Sequence, residues 1–231
     1  MPLSREEQPQ GGVLHGLIVA TLAAGLEKTA KAVESAGMFV TSVDTSAFSL
    51  ARMFSEDSQE HTVAVINVGS NSTDVIILDK GGPVYLRSVP SGADDVTQAI
   101  SIALSVPFED ANDIKQHLGL RNVVGDPRLE KAEEIIRETT SQLIVGIRNT
   151  LNYYDNDRRY DGTVDDIILT GVGSQLGGFP PVLATSTNKV VRLGDPFSKF
   201  ALTKQAREQE APSHSSAYAI VLGLAMGRRL R

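Results

Sequence analysis

The sequence has no cysteine, which excludes disulfides and thiol chemistry and fits a reducing, cytoplasmic setting. Its four histidines, His15, His61, His117 and His214, are scattered, and no His/Asp group has metal-ligand spacing, so nothing points to a structural zinc site. Aromatic residues make up only 5%, and 28 acidic against 22 basic residues leave a formal charge of −6. That balance argues against nucleic acid, whose binders use a basic face and stacking rings. Long apolar runs are missing too. The longest, Val13 to Leu26, contains His15, Gly16 and Gly25 and falls short of the roughly 20 residues that a membrane-spanning helix needs. Before it, MPLSREEQPQGG carries two glutamates and one arginine, which is not the basic start of an export signal.

What is present is a 41% apolar fraction over 231 residues, enough for one large domain or two small ones with a real core. The stretch from Thr62 to Gly92 organises the rest. Val63 to Val68 reads as a buried strand ending in Asn67-Val68-Gly69-Ser70-Asn71-Ser72-Thr73-Asp74, a turn of small residues whose N–H groups can cradle a phosphate. Val75 to Leu78 is the next strand, and Asp79-Lys80-Gly81-Gly82 carries a hairpin signal into Val84 to Val89. Pro90-Ser91-Gly92 then opens a helix.

Upstream, residues 1–12 read as a disordered leader, Leu14 to Ala20 as a strand, and Ala23 to Ser35 as a helix with Leu22, Leu26, Ala30 and Val33 on one face. Phe39 to Val43 is expected to be a strand, and Asp44-Thr45-Ser46 to cap a helix with Ala47, Leu50, Ala51 and Phe54 inward. Downstream, helices are expected over Asp94–Leu104, Phe108–Leu118 and, most clearly, Leu129–Tyr154, where Ile136, Leu143, Ile147 and Leu151 form a stripe. Asp166 to Leu169 is a strand feeding Thr170-Gly171-Val172-Gly173-Ser174 and a short helix from Pro180 to Thr185. Val190 to Leu193 is one more strand, Thr203 to Ser215 a polar mobile segment, and Ser216 to Leu230 a closing helix with the basic end RRLR.

Two glycine-hydroxyl turns, Gly69–Thr73 and Gly171–Ser174, therefore each follow an apolar strand. Together they offer unhindered N–H donors to an anionic nucleotide from two sides, although each alone is also what a tight connection requires. Neither has the Gly-Lys-Ser/Thr of a Walker loop nor the full Gly-x-Gly-x-x-Gly of a dinucleotide turn. Asp44, Asp74 and Asp79 read as local caps before metal ligands, and Glu130, Glu133 and Glu134 as an acidic first turn of the long helix.

In this order the parts resemble the second half of the actin-like ATPase superfamily, which includes actin, Hsp70 chaperones and sugar kinases. The nearer resemblance is to the PilM family of type IV pilus assembly proteins, relatives of the cell-division protein FtsA. NVGSNSTDVIIL resembles the second phosphate motif, SGADDVTQAI the Gly and polar pair that open a helix, and ILTGVGSQLGGFP the adenosine motif; LGDPF and AIVLGLAM follow. The opening LIVATLAAGLEKTAKAVESAGMFVTSVDTSAFSLARM is similar to the family's strand, helix, AG turn, strand, VD and helix.

The resemblance implies an α/β, actin-like (ribonuclease H-like) fold, N-terminally truncated because the strand and hairpin of the first phosphate motif are absent. A partial first subdomain is expected over 13–61 and a second domain over 62–231, with a helical insert about 93–128. It further implies a cytoplasmic scaffold of pilus assembly, peripheral to the inner membrane, that binds the N-terminal peptide of a PilN-like protein beside residues 14–43; self-association is left open. ATP and Mg²⁺ are the implied cofactors, with Asn67, Gly69, Ser70, Ser72 and Thr73 toward phosphates and Gly92, Gly171, Gly173 and Ser174 toward adenosine. Two departures bear on turnover. Asn67 stands where the family has Asp and brings no anionic charge for hydrated Mg²⁺, and Val172 replaces a glycine. The rival readings are an active phosphotransferase or ATPase of the same superfamily and an FtsA-like division protein.

Overall fold

The computed structural model describes residues 2–8, 11–20, 23–122, 124–157, 159–160, 162–204 and 216–227. The chain divides into two compact units, residues 1–45 and 46–231. In the first, β1 (Pro2–Gln8) and β2 (Gly11–Gly16) pair as an antiparallel hairpin, followed by the helix α1 (Ala23–Ser35). Most of the expected leader is thus strand, and the strand expected over Leu14–Ala20 ends at Gly16. Phe39 to Val43 forms no strand: an extended segment becomes one only by pairing, and this segment pairs with neither β1 nor β2. Within α1 no residue is buried, so the expected face over Leu26, Ala30 and Val33 is formed but unburied; Leu22 lies outside the described residues.

The second unit is built on a five-stranded sheet in the order β5-β4-β3-β6-β7. Its strands are β3 (Val63–Val68), β4 (Thr73–Asp79), β5 (Gly82–Val89), β6 (Asp166–Thr170) and β7 (Val190–Leu193). β3 pairs antiparallel with β4 and parallel with β6, and every residue of β3 is buried, as a central strand covered on both faces must be. The β4–β5 hairpin turns through Lys80 (φ 50°) and Gly81 (φ 77°), two left-handed residues in a row, the geometry that matches strand twist.

One face is covered by α2 (Ser46–Phe54) and α7 (Ala219–Ala225). Leu50, Met53 and Phe54 of α2 are packed with Val65, Ile76, Ile168 and Ala219. That packing places α2 with the second unit, and the boundary falls at Thr45/Ser46, not at 61/62. The other face is covered by α5 (Pro127–Asn156) and α6 (Phe179–Thr187). Asp126 caps α5 by accepting from the N–H groups of Arg128 and Leu129, Pro127 takes the first helical position, and Ile136, Leu143, Ile147 and Leu151 point inward.

The insert is α3 (Ala93–Leu104) and α4 (Phe108–Leu118). They share a small core of Val96, Ile100, Ala111 and Ile136 with α5. The closing helix is shorter than expected, starting at Ala219 after a 3-10 turn; the 205–215 segment and the RRLR end lie outside the described residues.

Candidate functional site

The two glycine turns, a hundred residues apart in sequence, meet at the C-terminal ends of β3 and β6, where open α/β sheets present their ligand sites. Asn67 pairs across β4 with Asp74 and across β6 with Thr170, so three polar side chains form a row on the α2 face of the sheet. Asp74 Oδ2 accepts from Ser46 Oγ (2.9 Å), the first residue of α2, and Thr170 Oγ1 donates to the Ser216 carbonyl (2.6 Å).

The first turn closes with Gly69 N–H donating to Ser72 O (2.9 Å). Its outward carbonyls then receive the helix that follows: Ala93 N–H donates to Gly69 O (2.9 Å) and Asp94 N–H to Ser70 O (2.8 Å). Two of the four N–H groups that a helix start leaves unpaired are satisfied in this way. The backbone approach is so close that a Cβ at Gly92 would stand 2.6 Å from Gly69 O and nearer still to Ser70 O. Asp95 completes the joint by accepting from Gly92 N–H (2.9 Å). Among the described residues the N–H groups of Ser70, Asn71 and Ser72 donate to no backbone carbonyl, and Ser70 and Asn71 are exposed. These are the donors an anion would meet.

The second turn lies against the first. Gly171 has φ +90°, open only to glycine at ordinary cost, and a Cβ there would come 2.9 Å from Asn67 Oδ1. Its N–H donates to Ser216 O (3.2 Å), and Gly173 lies beside Val68 and Ala93.

All nine candidate residues therefore belong to one cluster, but two of the hydroxyls face inward. Thr73 is fully buried and donates to Ser91 O (2.8 Å). Ser174 donates to Gly171 O (2.7 Å) and lies 3.0 Å from Ser216 Oγ. Both hold the turns in shape. The donors open to a ligand are the backbone of residues 70–72 and the Ser70 and Ser72 side chains.

A phosphate fits this cradle in donor chemistry. A hydrated Mg²⁺ fits less well, because the only carboxylate in the row, Asp74, already accepts from Ser46, and among the described residues no group of three acidic or histidine side chains could hold a metal. Two cavities lie elsewhere, one of about 460 Å³ at the opposite end of β6 beside His61, Asp166 and Arg192, the other of about 250 Å³ between α5 and α6.

One residue escaped the sequence reading. Lys115 on α4 is buried, and its Nζ donates to Ala93 O (3.1 Å) and Thr97 Oγ1 (2.6 Å), tying α4 to the first turn of α3 directly behind the glycine turns. Burial holds its pKa below the ordinary lysine range, and Asp94 nearby works in the opposite direction. The signal was there: Lys115 stands on the stripe of Ala111, Ile114 and Leu118, where a charge is out of place.

Comparison with known proteins adds the lineage. A family model described as type IV pilus assembly protein PilM matches residues 5–229. Cell division protein FtsA of Escherichia coli is 26% identical over 217 residues, covering 83% of this chain and 50% of the relative; that of Pseudomonas aeruginosa is 25% identical over 189 residues, covering 74% and 44%. The chain thus spans about half the length of the curated relatives it matches. Among solved structures, a PilM-PilN type IV pilus biogenesis complex aligns with a TM-score of 0.74 at 19% identity, over 87% of this chain and 56% of that one. MreB 5 of Spiroplasma citri bound to AMPPNP aligns with 0.65 at 12% identity, over 90% and 65%. The fold is that of the actin-like ATPases.

Proposed function

We propose, from the premise that this chain belongs to the PilM family of type IV pilus assembly proteins, that it is a scaffold of pilus assembly which binds ATP weakly and turns it over slowly or not at all. The observation that carries this is the division of labour in the glycine turns. Backbone donors at residues 70–72 remain open, while Thr73 and Ser174 brace the turns and Asn67 supplies no carboxylate. A phosphate would be held by backbone N–H groups, whose geometry is set by β3 and α3 and does not depend on side-chain charge. With Asn67 uncharged, Asp74 is the one member of the row of Asn67, Asp74 and Thr170 that brings the negative charge a hydrated cation or a general base calls for.

For the partner, the proposal is the N-terminal cytoplasmic peptide of a PilN-like inner-membrane protein, docked against residues 14–43 of the first unit. Support comes from the apolar residues which that unit leaves exposed, Ile18, Met38, Phe39 and Val43. The solved relative is likewise a PilM-PilN complex. Among the described residues no helix is long and apolar enough to cross a membrane; the proposed partner would hold the chain at the inner membrane.

The test is capture of the chain on an immobilised N-terminal peptide of the PilN-like protein, alongside phosphate release measured with the same preparation. Stoichiometric capture without phosphate release supports the reading. Multiple turnover at rates of an active ATPase, or no capture at micromolar peptide, contradicts it.

A further inference from the structure

The cavity of about 250 Å³ between α5 and α6 lies apart from the phosphate cradle and has a polar wall and an apolar one. Along α5, positions 133, 137, 140, 141 and 144 follow the i, i+4, i+7, i+8, i+11 spacing of a single helix flank, and all five line it. Leu120 and Val182 close it from outside α5 and, with Ile144, supply the apolar surface. The Leu120 wall is held in place, since its N–H donates to Gly177 O (2.7 Å).

Two polar groups of this wall are buried and poorly partnered. Thr140 is 2% exposed, and its Oγ1 makes no hydrogen bond among the described residues. Other hydroxyls of the same helix turn back onto the carbonyl four residues earlier: Ser141 donates to Arg137 O (2.6 Å) and Thr150 to Gly146 O (2.9 Å). Thr140 does not, which leaves both a donor and an acceptor for an occupant of the cavity. Glu133 is 8% exposed, and the guanidinium that meets its Oε1 at 3.3 Å belongs to Arg137, whose side chain is 59% exposed. So loose and solvated an ion pair is weak and readily displaced. The charge buried in the cavity wall is therefore negative, and its cation stands largely in water. Arg148, one turn beyond Ile144, is exposed as well.

We propose that this cavity binds a short aliphatic amino alcohol, whose ammonium group pairs with Glu133, whose hydroxyl meets Thr140 and whose carbon chain lies on Leu120, Ile144 and Val182. Seven residues of helix separate positions 133 and 140 by roughly 10 Å along the axis. The Glu133 carboxylate, drawn toward Arg137 four residues on, covers part of that span, and a chain of four to six carbons covers the rest. A diamine suits the cavity less well, because its second charge would be buried beside Thr140 with no carboxylate to meet it. The site needs neither the glycine turns nor the first unit.

The probe is 5-amino-1-pentanol, titrated against the full chain and followed by backbone amide shifts, beside 1-pentylamine, 1,5-pentanediol and 5-hydroxypentanoate. The amino alcohol is expected to bind with a dissociation constant of about 1 mM and to shift the amides of residues 120, 133–144 and 178–182. Pentylamine and pentanediol should each bind about tenfold more weakly, and the carboxylate not at all. Each variant should erase one preference alone. Glu133→Gln should bring the amino alcohol and the diol to equal affinity, and Thr140→Val should bring the amino alcohol and pentylamine to equal affinity. The unfolding midpoint of Thr140→Val should not fall, since its hydroxyl has no partner to lose. A fall in that midpoint, equal binding of all four compounds to the wild type, preferences untouched by both variants, shifts confined to residues 69–73 and 171–174, or no binding at tens of millimolar would each overturn the proposal.

Discussion

Replacing Gly92 by alanine tests the interlock between the first glycine turn and α3. The backbone at Gly92 is extended (φ −151°), so alanine meets no conformational strain there and any effect is steric. Its Cβ would stand 2.6 Å from Gly69 O and closer to Ser70 O, and both are backbone atoms that cannot rotate away. The turn and the helix must separate, weakening the bonds from Ala93 and Asp94 N–H to those two carbonyls. Two hydrogen bonds at roughly 1 kcal/mol each, with overpacking of about 1 kcal/mol, give a loss of about 3 kcal/mol. For a unit of this size that corresponds to a fall in melting temperature of about 6 to 12 °C. Urea and thermal unfolding measure it directly. Gly25→Ala is the control: nothing lies within 4 Å of that position inside α1, and alanine there should gain about 0.5–1 kcal/mol. Gly92→Ala unfolding within 0.5 kcal/mol of wild type would refute the interlock.

Thr73→Val keeps the shape but leaves Ser91 O without its donor, and should cost about 1–2 kcal/mol in urea unfolding, largely restored in Thr73→Ser. Asn67→Asp places a carboxylate directly across from Asp74; at neutral pH the like charges should lower stability, and Mg²⁺ should restore part of it, as thermal melts with and without the cation would show. Lys115 has a folded pKa below its unfolded value of 10.5, so burial of its charge opposes folding at neutral pH. That penalty should lift as pH rises through the window between the lowered value and 10.5. Urea unfolding from pH 8 to 10.5 should show wild type gaining stability relative to Lys115→Met, and a flat difference would contradict the assignment.

Local chemistry made part of this fold legible. The β4–β5 turn is written in Lys80-Gly81, and α5 in its proline, its capping Asp126 and its apolar stripe, because each depends on residues within a few positions. The apposition of the two glycine turns was legible only as an order of parts. What joins them, the backbone of Gly171 against that of Val68, is contact between segments far apart in sequence, as is the contact of Gly92 with Gly69 that ties the first turn to α3. The direction of the Thr73 hydroxyl was invisible for the same reason, since its partner Ser91 lies 18 residues away; Ser174 donates locally to Gly171 O, and only its contact with Ser216 spans 42 residues. Phe39–Val43 has strand composition but pairs with no strand, and composition alone does not make a strand. α2 was rightly read as a helix with Leu50 and Phe54 inward; which unit it served depended on the sheet beneath it.

The measurement that bears most directly on the central claim is a titration of the full chain with a fluorescent ATP analogue, with and without Mg²⁺, followed by competition with unlabelled ATP. Backbone donors at residues 70–72 with no carboxylate at Asn67 predict saturable, competable binding that gains little from Mg²⁺ and is not followed by phosphate release. Absence of binding at millimolar nucleotide, or tight Mg²⁺-dependent binding with rapid hydrolysis, would contradict it.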